Sequence, residues 1–214
     1  VQNHQLMLLH GAQGKGKSTF IRHLLPPELK DYYRNGMIIP ENNNHLLQLS
    51  SCLLINLDEF DTLSPERMQN LKSLITQDVV NERKVYDIQN YTYIRRASFI
   101  ASTNNPHCMP DVKENRRILF STLLNIDYHT PVNHEGIYAQ AYALYRQGFQ
   151  YWYENEEITF LNNRNEAFRQ KDPIEENLFF YFRAARQNDI QAQWYPASYL
   201  LSVFSMNGRT QANT

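Results

Sequence analysis

The segment Gly11-Ala12-Gln13-Gly14-Lys15-Gly16-Lys17-Ser18-Thr19 sets two glycines, a lysine and a hydroxyl at the spacing Gly-x-x-x-x-Gly-Lys-Ser. That is the pattern of a phosphate-binding loop. Glycines let successive backbone N–H groups converge on phosphate oxygens, where side chains would obstruct them. The lysine, Lys17, is placed to reach the β- and γ-phosphates of a nucleotide, and the Ser18 hydroxyl to ligate Mg²⁺. A second candidate group is Asp58-Glu59, with Asp58 expected to hold Mg²⁺, directly or through water, and Glu59 to orient or deprotonate an attacking water. Asn104 is a third, an amide able to hydrogen-bond the γ-phosphate or that water. Arg116-Arg117 is the fourth, because an arginine aimed at a γ-phosphate stabilises charge in the transition state.

These residues need elements to hold them. Leu6-Met7-Leu8-Leu9 reads as a buried parallel strand running into the loop, and Lys17-Ser18-Thr19 opens a helix whose N-terminus adds its positive dipole end. That helix carries Phe20, Ile21, Leu24 and Leu25 on one face and stops at Pro26-Pro27. Met37-Ile38-Ile39-Pro40 is expected to form a short strand, followed by an Asn42-Asn43-Asn44 loop and a leucine-bearing turn or helix to Leu49. Cys52 to Leu57 is a near-continuous apolar run that ends at Asp58-Glu59, as a central parallel strand does. Open α/β sheets bind ligands at the carboxyl ends of their strands, so these carboxylates are expected to face the loop. Ser64-Pro65 marks a helix start, with Met68, Leu71, Leu74 and Ile75 at helical spacing. Residues 78–96 are polar and Tyr-rich and read as a β-hairpin or extended insertion. Ala97 to Ser102 is a buried strand leading to Asn104, and Ile118-Leu119-Phe120 is another. From Asp127 onward only helical patterns follow, expected over Glu135–Tyr153, Glu154–Gln170, a third helix to about Arg186, and Pro196–Met206.

Composition bounds the possibilities. The 214 residues suffice for one substantial domain and an appendage, and a net charge of −1 excludes a global basic field, so any nucleic-acid contact must use a local patch. The two cysteines, Cys52 and Cys108, have neither disulfide-framework nor zinc-site spacing. Without a signal peptide or an apolar run of membrane length the protein is expected in the cytoplasm, and a start at Val1 almost inside a core strand reads as a piece of a longer chain.

Taken together, Gly11 to Ser18, the Asp58-Glu59 strand, the Ser102-Thr103-Asn104 strand end and Asn115-Arg116-Arg117 resemble a superfamily 3 helicase, a branch of the AAA+ ATPases. More narrowly, the chain is similar to the virulence-associated E family of phage and mobile-element proteins. Val80-Asn81-Glu82-Arg83-Lys84-Val85-Tyr86, Arg95 to Ile100, Ala139 to Tyr153 and Phe168 to Pro173 carry that likeness. The resemblance covers about residues 1–175 and implies ATP-driven work on single-stranded or forked DNA in replication. It also implies assembly into a ring, hexameric in the full-length protein. The insertion between the second and third motifs would project into the ring channel, where Arg83 and Lys84, with Tyr86, Tyr91 and Tyr93, would track a backbone and stack bases. The same likeness places Arg116 or Arg117 where relatives carry an arginine finger acting on a neighbouring subunit's ATP. Tyr195-Pro196-Ala197-Ser198 resembles the start of a winged-helix-like domain.

The expected fold is therefore α/β, a P-loop NTPase (AAA+-like) parallel sheet with flanking helices, followed by a helical subdomain. The expected divisions are an ATPase core over 1–126, a helical lid-like subdomain over 127–172 and a helical segment over 173–214. The expected ligands are ATP and Mg²⁺. A small P-loop kinase and a regulatory nucleotide-binding module are the rival readings. The kinase needs no Glu59 base and no arginine pair after the sheet, and the module would bind ATP without turnover that responds to nucleic acid or assembly.

Overall fold

The computed structural model describes residues 3–38, 43–58, 60–83, 89–109, 115–170, 173–186 and 189–206. The chain divides into two compact units, Val1–Arg169 and Gln170–Thr214. Among the described residues no helix is long and apolar enough to cross a membrane.

The first unit is built on a five-stranded sheet. Its strands are β1 (Leu6–His10), β2 (Tyr33–Asn35), β3 (Leu54–Leu57), β6 (Ser98–Thr103) and β7 (Ile118–Thr122), in the spatial order β2-β3-β6-β1-β7. Every neighbouring pair is parallel. Burial follows from that topology: Leu6, Leu8, Leu9, Ile55, Leu57 and Ala101 are fully buried, because a parallel sheet is covered on both faces. The helices of this unit are α1 (Lys17–Arg22), α2 (Asn43–Ser51), α3 (Pro65–Thr76), α4 (His134–Arg146) and α5 (Asn155–Glu166). From α3, Met68, Leu71, Leu74 and Ile75 enter the main core, and Ser64 caps the helix by accepting from the Arg67 N–H at 3.3 Å. A smaller cluster of Leu9, Ile21 and Ile100 seats α1 on the sheet.

Strands β4 (Val79–Arg83) and β5 (Asn90–Ile94) form a separate antiparallel pair, with Val79 opposite Ile94 and Arg83 opposite Asn90. This is the expected hairpin; its tip, residues 84–88, lies outside the described residues. Arg95 clamps its base. The buried guanidinium donates to the carbonyls of Gln77, Ala97 and Asn3 at 2.6, 2.6 and 2.8 Å.

Several boundaries differ from the sequence reading. The short strand is Tyr33–Asn35 rather than Met37–Pro40, of which residues 39 and 40 lie outside the described residues. Its ladder extends from Leu53 N–H to Tyr32 O and from Gly36 N–H to Asn56 O, and the chain leaves it at Gly36, whose φ of 121° suits glycine alone. Ile38 is buried as a core residue and not as a strand residue. The first helix stops at Arg22, before the prolines. Helix α4 ends at Arg146 because Gly148 takes φ 73°, with Gly148 N–H bonded to Tyr145 O and Phe149 N–H to Leu144 O, a Schellman stop. No residue of α4 is buried, so its apolar positions Ile137, Leu144 and Tyr145 face outward. Helix α5 is also shorter than expected, and it is tied to the sheet where the buried Asn165 donates to Ile118 O at 2.8 Å. Just beyond it Phe168 stacks on Phe120 with ring centroids 3.7 Å apart.

The second unit holds α6 (Pro173–Tyr181) and α7 (Ala197–Met206). They pack through Tyr181, Phe182 and the buried Phe204, with Tyr195 stacked on Tyr199.

Candidate functional site

Strand order decides which side chains meet. After β6 the chain passes over to β7 on the far side of β1, whereas the chain leaving β1 goes the other way, to β2. A crevice at the carboxyl ends of β1 and β6 follows from that divergence. The crevice holds a cavity of about 630 Å³ bounded by the loop residues 13–19, by Asp58 and Asp61, and by Ser102, Thr103 and Asn104.

Lys17 is at its centre and is buried. Its ammonium donates to Gly11 O at 2.5 Å, Ala12 O at 2.9 Å and Asn104 Oδ1 at 2.8 Å. An ammonium has three protons, so this set uses all of them. The lysine thus ties the loop to the end of β6, which Gly11 N–H also reaches through Thr103 O. Burial pulls its pKa below the usual lysine range, and the nearby Asp61 carboxylate opposes that shift. Gly14 and Gly16 hold φ of 77° and 80°, conformations that L side chains rarely adopt.

Asp58, at the end of β3, is oriented by two donors: Asn35 Nδ2 to one oxygen and Ser102 Oγ to the other, both at 3.2 Å. Asn35 is itself held, accepting from the buried Asn56 Nδ2 at 2.7 Å. Asp61 accepts from Thr103 Oγ1 at 3.2 Å. Lys17, Asp58 and Asn104 are therefore brought together from three strands, with Ser18 and Thr19 on the same wall. Glu59 lies outside the described residues.

Beneath the loop, His10 stacks on Phe120 with centroids 5.8 Å apart, and its Nδ1 is buried without a partner. Burial first, then the Lys17 charge, lower its pKa below the ordinary imidazole value, against a backbone hydrogen bond at Asn104 that raises it. Cys108 is also buried, its thiol pushed up to about 11 chiefly by desolvation, which leaves it inert as a nucleophile.

Arg116 and Arg117 are not in this cavity. They precede β7, whose Ile118 pairs with Leu6 at the start of β1, so they sit at the amino end of the sheet. The length of β1, at about 3.3 Å per residue, separates them from the loop by roughly 15 Å or more. There they line a second cavity of about 450 Å³ with His4, Asp78 and the run Tyr151-Trp152-Tyr153. Arg83 ends β4, its side chain outside the description, and Lys84 is not among the described residues. Tyr91 and Tyr93 of the hairpin lie 6.3 Å apart by ring centroid.

Sequence reasoning did not assign Asn35, Asp61, Ser102, Thr103, His10 or Tyr128 to the site. Asp61 was the accessible one, three residues after Asp58 on the same strand exit. Ser102, Thr103 and His10 adjoin assigned residues in the chain, whereas Asn35 and Tyr128 meet the site only through the tertiary fold.

A mostly parallel α/β sheet with a glycine-rich loop at the carboxyl end of a central strand is the class that these observations define. The chain belongs to the virulence-associated protein E-like domain family, whose model matches residues 1–170. Among solved structures, two forms of the NrS-1 C terminal region (305–718) are similar. One is 16% identical with a TM-score of 0.43 and the other 17% identical with a TM-score of 0.44. Each alignment covers 78% of this chain but only 34% and 36% of those chains, so this chain spans about a third of their length. No curated protein matches the chain.

Proposed function

We propose that this chain is a P-loop NTPase that binds ATP with Mg²⁺ and hydrolyses it. Its role would be the motor domain of a superfamily 3-like DNA helicase in phage or mobile-element replication. The observation that carries the reading is the meeting of Lys17, Asp58 and Asn104 in one cavity, from β1's loop, β3 and β6, with Gly14 and Gly16 in left-handed conformations. The donor set suits a nucleotide bound with Mg²⁺: a hard cation takes hydroxyl and carboxylate oxygens, here Ser18 and Asp58, and completes its shell with phosphate oxygens and water. Bound there, Mg²⁺ supplies neutralisation of the charge that develops on the phosphates.

The chain's own residues do the rest. Converging loop N–H groups cradle the phosphates. Lys17 has to exchange one of its present acceptors for a phosphate oxygen, and the acceptor that can move is the Asn104 amide. The freed amide turns to the γ-phosphate or the attacking water, which makes Asn104 a reporter of the bound nucleotide. Glu59, next to Asp58, orients or deprotonates that water. Arg116 or Arg117, remote from its own loop, completes the site of a neighbouring copy, and the Arg83-Lys84 hairpin contacts single-stranded DNA.

The test is phosphate release from ATP against protein concentration, with and without single-stranded DNA, for wild type, Lys17→Ala and Glu59→Gln. Lys17→Ala is expected to weaken ATP binding about a hundredfold, as loss of a charged phosphate ligand does. Glu59→Gln is expected to bind ATP normally and to lose about 10²–10⁴ in rate. Wild-type turnover in Glu59→Gln would remove the water-activating role, and a phosphorylated acceptor in place of free phosphate would make the protein a kinase.

A further inference from the structure

We infer that Tyr128 is the platform against which the nucleobase of the bound nucleotide packs; this rests on the nucleotide reading above and extends it. The phosphate-directed groups have a direction along the sheet edge. Asp58 leaves β3 and Asn104 leaves β6, and both lie on one side of the β1 loop. A triphosphate whose terminal end meets these groups has its nucleoside end on the other side of the loop, toward β7. Tyr128 stands on that side, in the segment following β7, and it is the residue of that segment that lines the loop cavity.

The ring is held in place. Tyr128 is half-buried and lies directly over Gly16, so close that a Cβ at that position would overlap its ring. Its other near neighbour is His129, with ring centroids 4.2 Å apart. The backbone that presents the pair is fixed by Asp127. This carboxylate accepts from the N–H groups of His129 and Thr130 at 3.1 Å each and from the Thr130 hydroxyl at 2.6 Å, bonds that also lower its pKa. Farther along, α4 is tethered to the end of α1, where His134 Nε2 lies 2.7 Å from His23 O and Tyr138 OH donates to Leu24 O at 3.3 Å. The segment that carries Tyr128 is therefore attached at both ends, to β1 through β7 and to the loop's own helix through α4. A rigid aromatic beside a phosphate cradle is suited to stack a base, a contact that is tolerant of base identity.

Calorimetric titration of the 214-residue chain with Mg²⁺·ATP and with Mg²⁺·tripolyphosphate, which has no base, separates the two ends of the ligand. Tyr128→Ala is expected to weaken ATP about tenfold or more and to leave tripolyphosphate within about twofold, while Tyr128→Phe keeps the wild-type ATP affinity. Retained tripolyphosphate binding also reports an intact loop. Equal weakening of both ligands would show that the ring only props Gly16, and an unchanged ATP affinity would place the base elsewhere; either overturns the inference alone. A wild-type chain that binds neither ligand overturns the nucleotide reading and this inference with it.

Discussion

At the carboxyl end of the sheet, Lys17 is buried with all three of its protons committed, and Asp58 is held by Asn35 and Ser102, the former itself fixed by Asn56. At the amino end, Arg116 is exposed and Arg117 half-buried in an open cleft whose aromatic wall, Tyr151 to Tyr153, is close to half exposed. One histidine near each end repeats the contrast. His10 lies under the loop with a nitrogen left without a partner, whereas His4 is exposed and bonded to Asp78 at 2.7 Å. One end is assembled within a single chain before any ligand arrives. The other sets the two arginines in an open cavity at the far end of the sheet from the loop. Under the proposed function, this contrast would make hydrolysis depend on assembly, with the exposed arginines completing a neighbouring copy's site.

Removing the exposed end is the largest expected perturbation. In an assembled ring, Arg116→Ala is expected to bind ATP normally and lose about 10³–10⁵ in turnover, the contribution of an arginine finger. Arg117→Ala is its comparison, and mixing Arg116→Ala with Lys17→Ala should restore part of the activity, because some interfaces then pair an intact loop with an intact arginine. Full turnover in both single variants, in an assembled ring, would make the pair structural and abolish the functional contrast between the two ends.

A smaller effect sharpens the description of the built end. If Asn35 and Ser102 orient Asp58, then Asn35→Ala and Ser102→Ala should raise the Mg²⁺ concentration for half-maximal nucleotide binding. About tenfold is expected from the range for groups that orient metal ligands. ATP affinity at saturating Mg²⁺ should change little. An unchanged Mg²⁺ requirement would mean that β3 alone sets the carboxylate.

The smallest effect concerns pH. His10 has its pKa lowered in the folded state, so below its ordinary value of 6.5 the unfolded chain binds a proton that the folded chain resists. Stability is then present above about pH 6.5 and falls as pH drops toward the folded value, by at most about 1.4 kcal/mol per pH unit. Melting temperatures measured between pH 7 and pH 5 should fall less steeply in His10→Phe than in wild type. Equal slopes would show that the ring is solvated enough to titrate freely.

Much of this was legible along the chain because its signals are local. Loop spacing, the Ser64 cap, the apolar run of β3 and the hairpin pattern of residues 78–96 each depend on contacts within a few residues, and each is present in the fold. Local signals also misled where burial was mistaken for strand: Ile38 is apolar because it enters the core, while the polar Tyr33–Asn35 pairs with β3. The expected helix over Glu135–Tyr153 runs past Gly148, whose left-handed conformation instead closes the helix at Arg146.

The residue types and spacing of the loop, with carboxylates at the end of an apolar strand, were determined by sequence alone. Tertiary structure decided that β6 lies between β1 and β3, which sets Asn104 against Lys17 across 87 positions of chain. It likewise brought Asn35 to Asp58 and Tyr128 to Gly16, and it sent Arg116 and Arg117 to the opposite end from the loop. The physical reason is that hydrophobic periodicity specifies which face of a strand is buried but not which strand lies beside it. That choice belongs to the packing of the whole sheet.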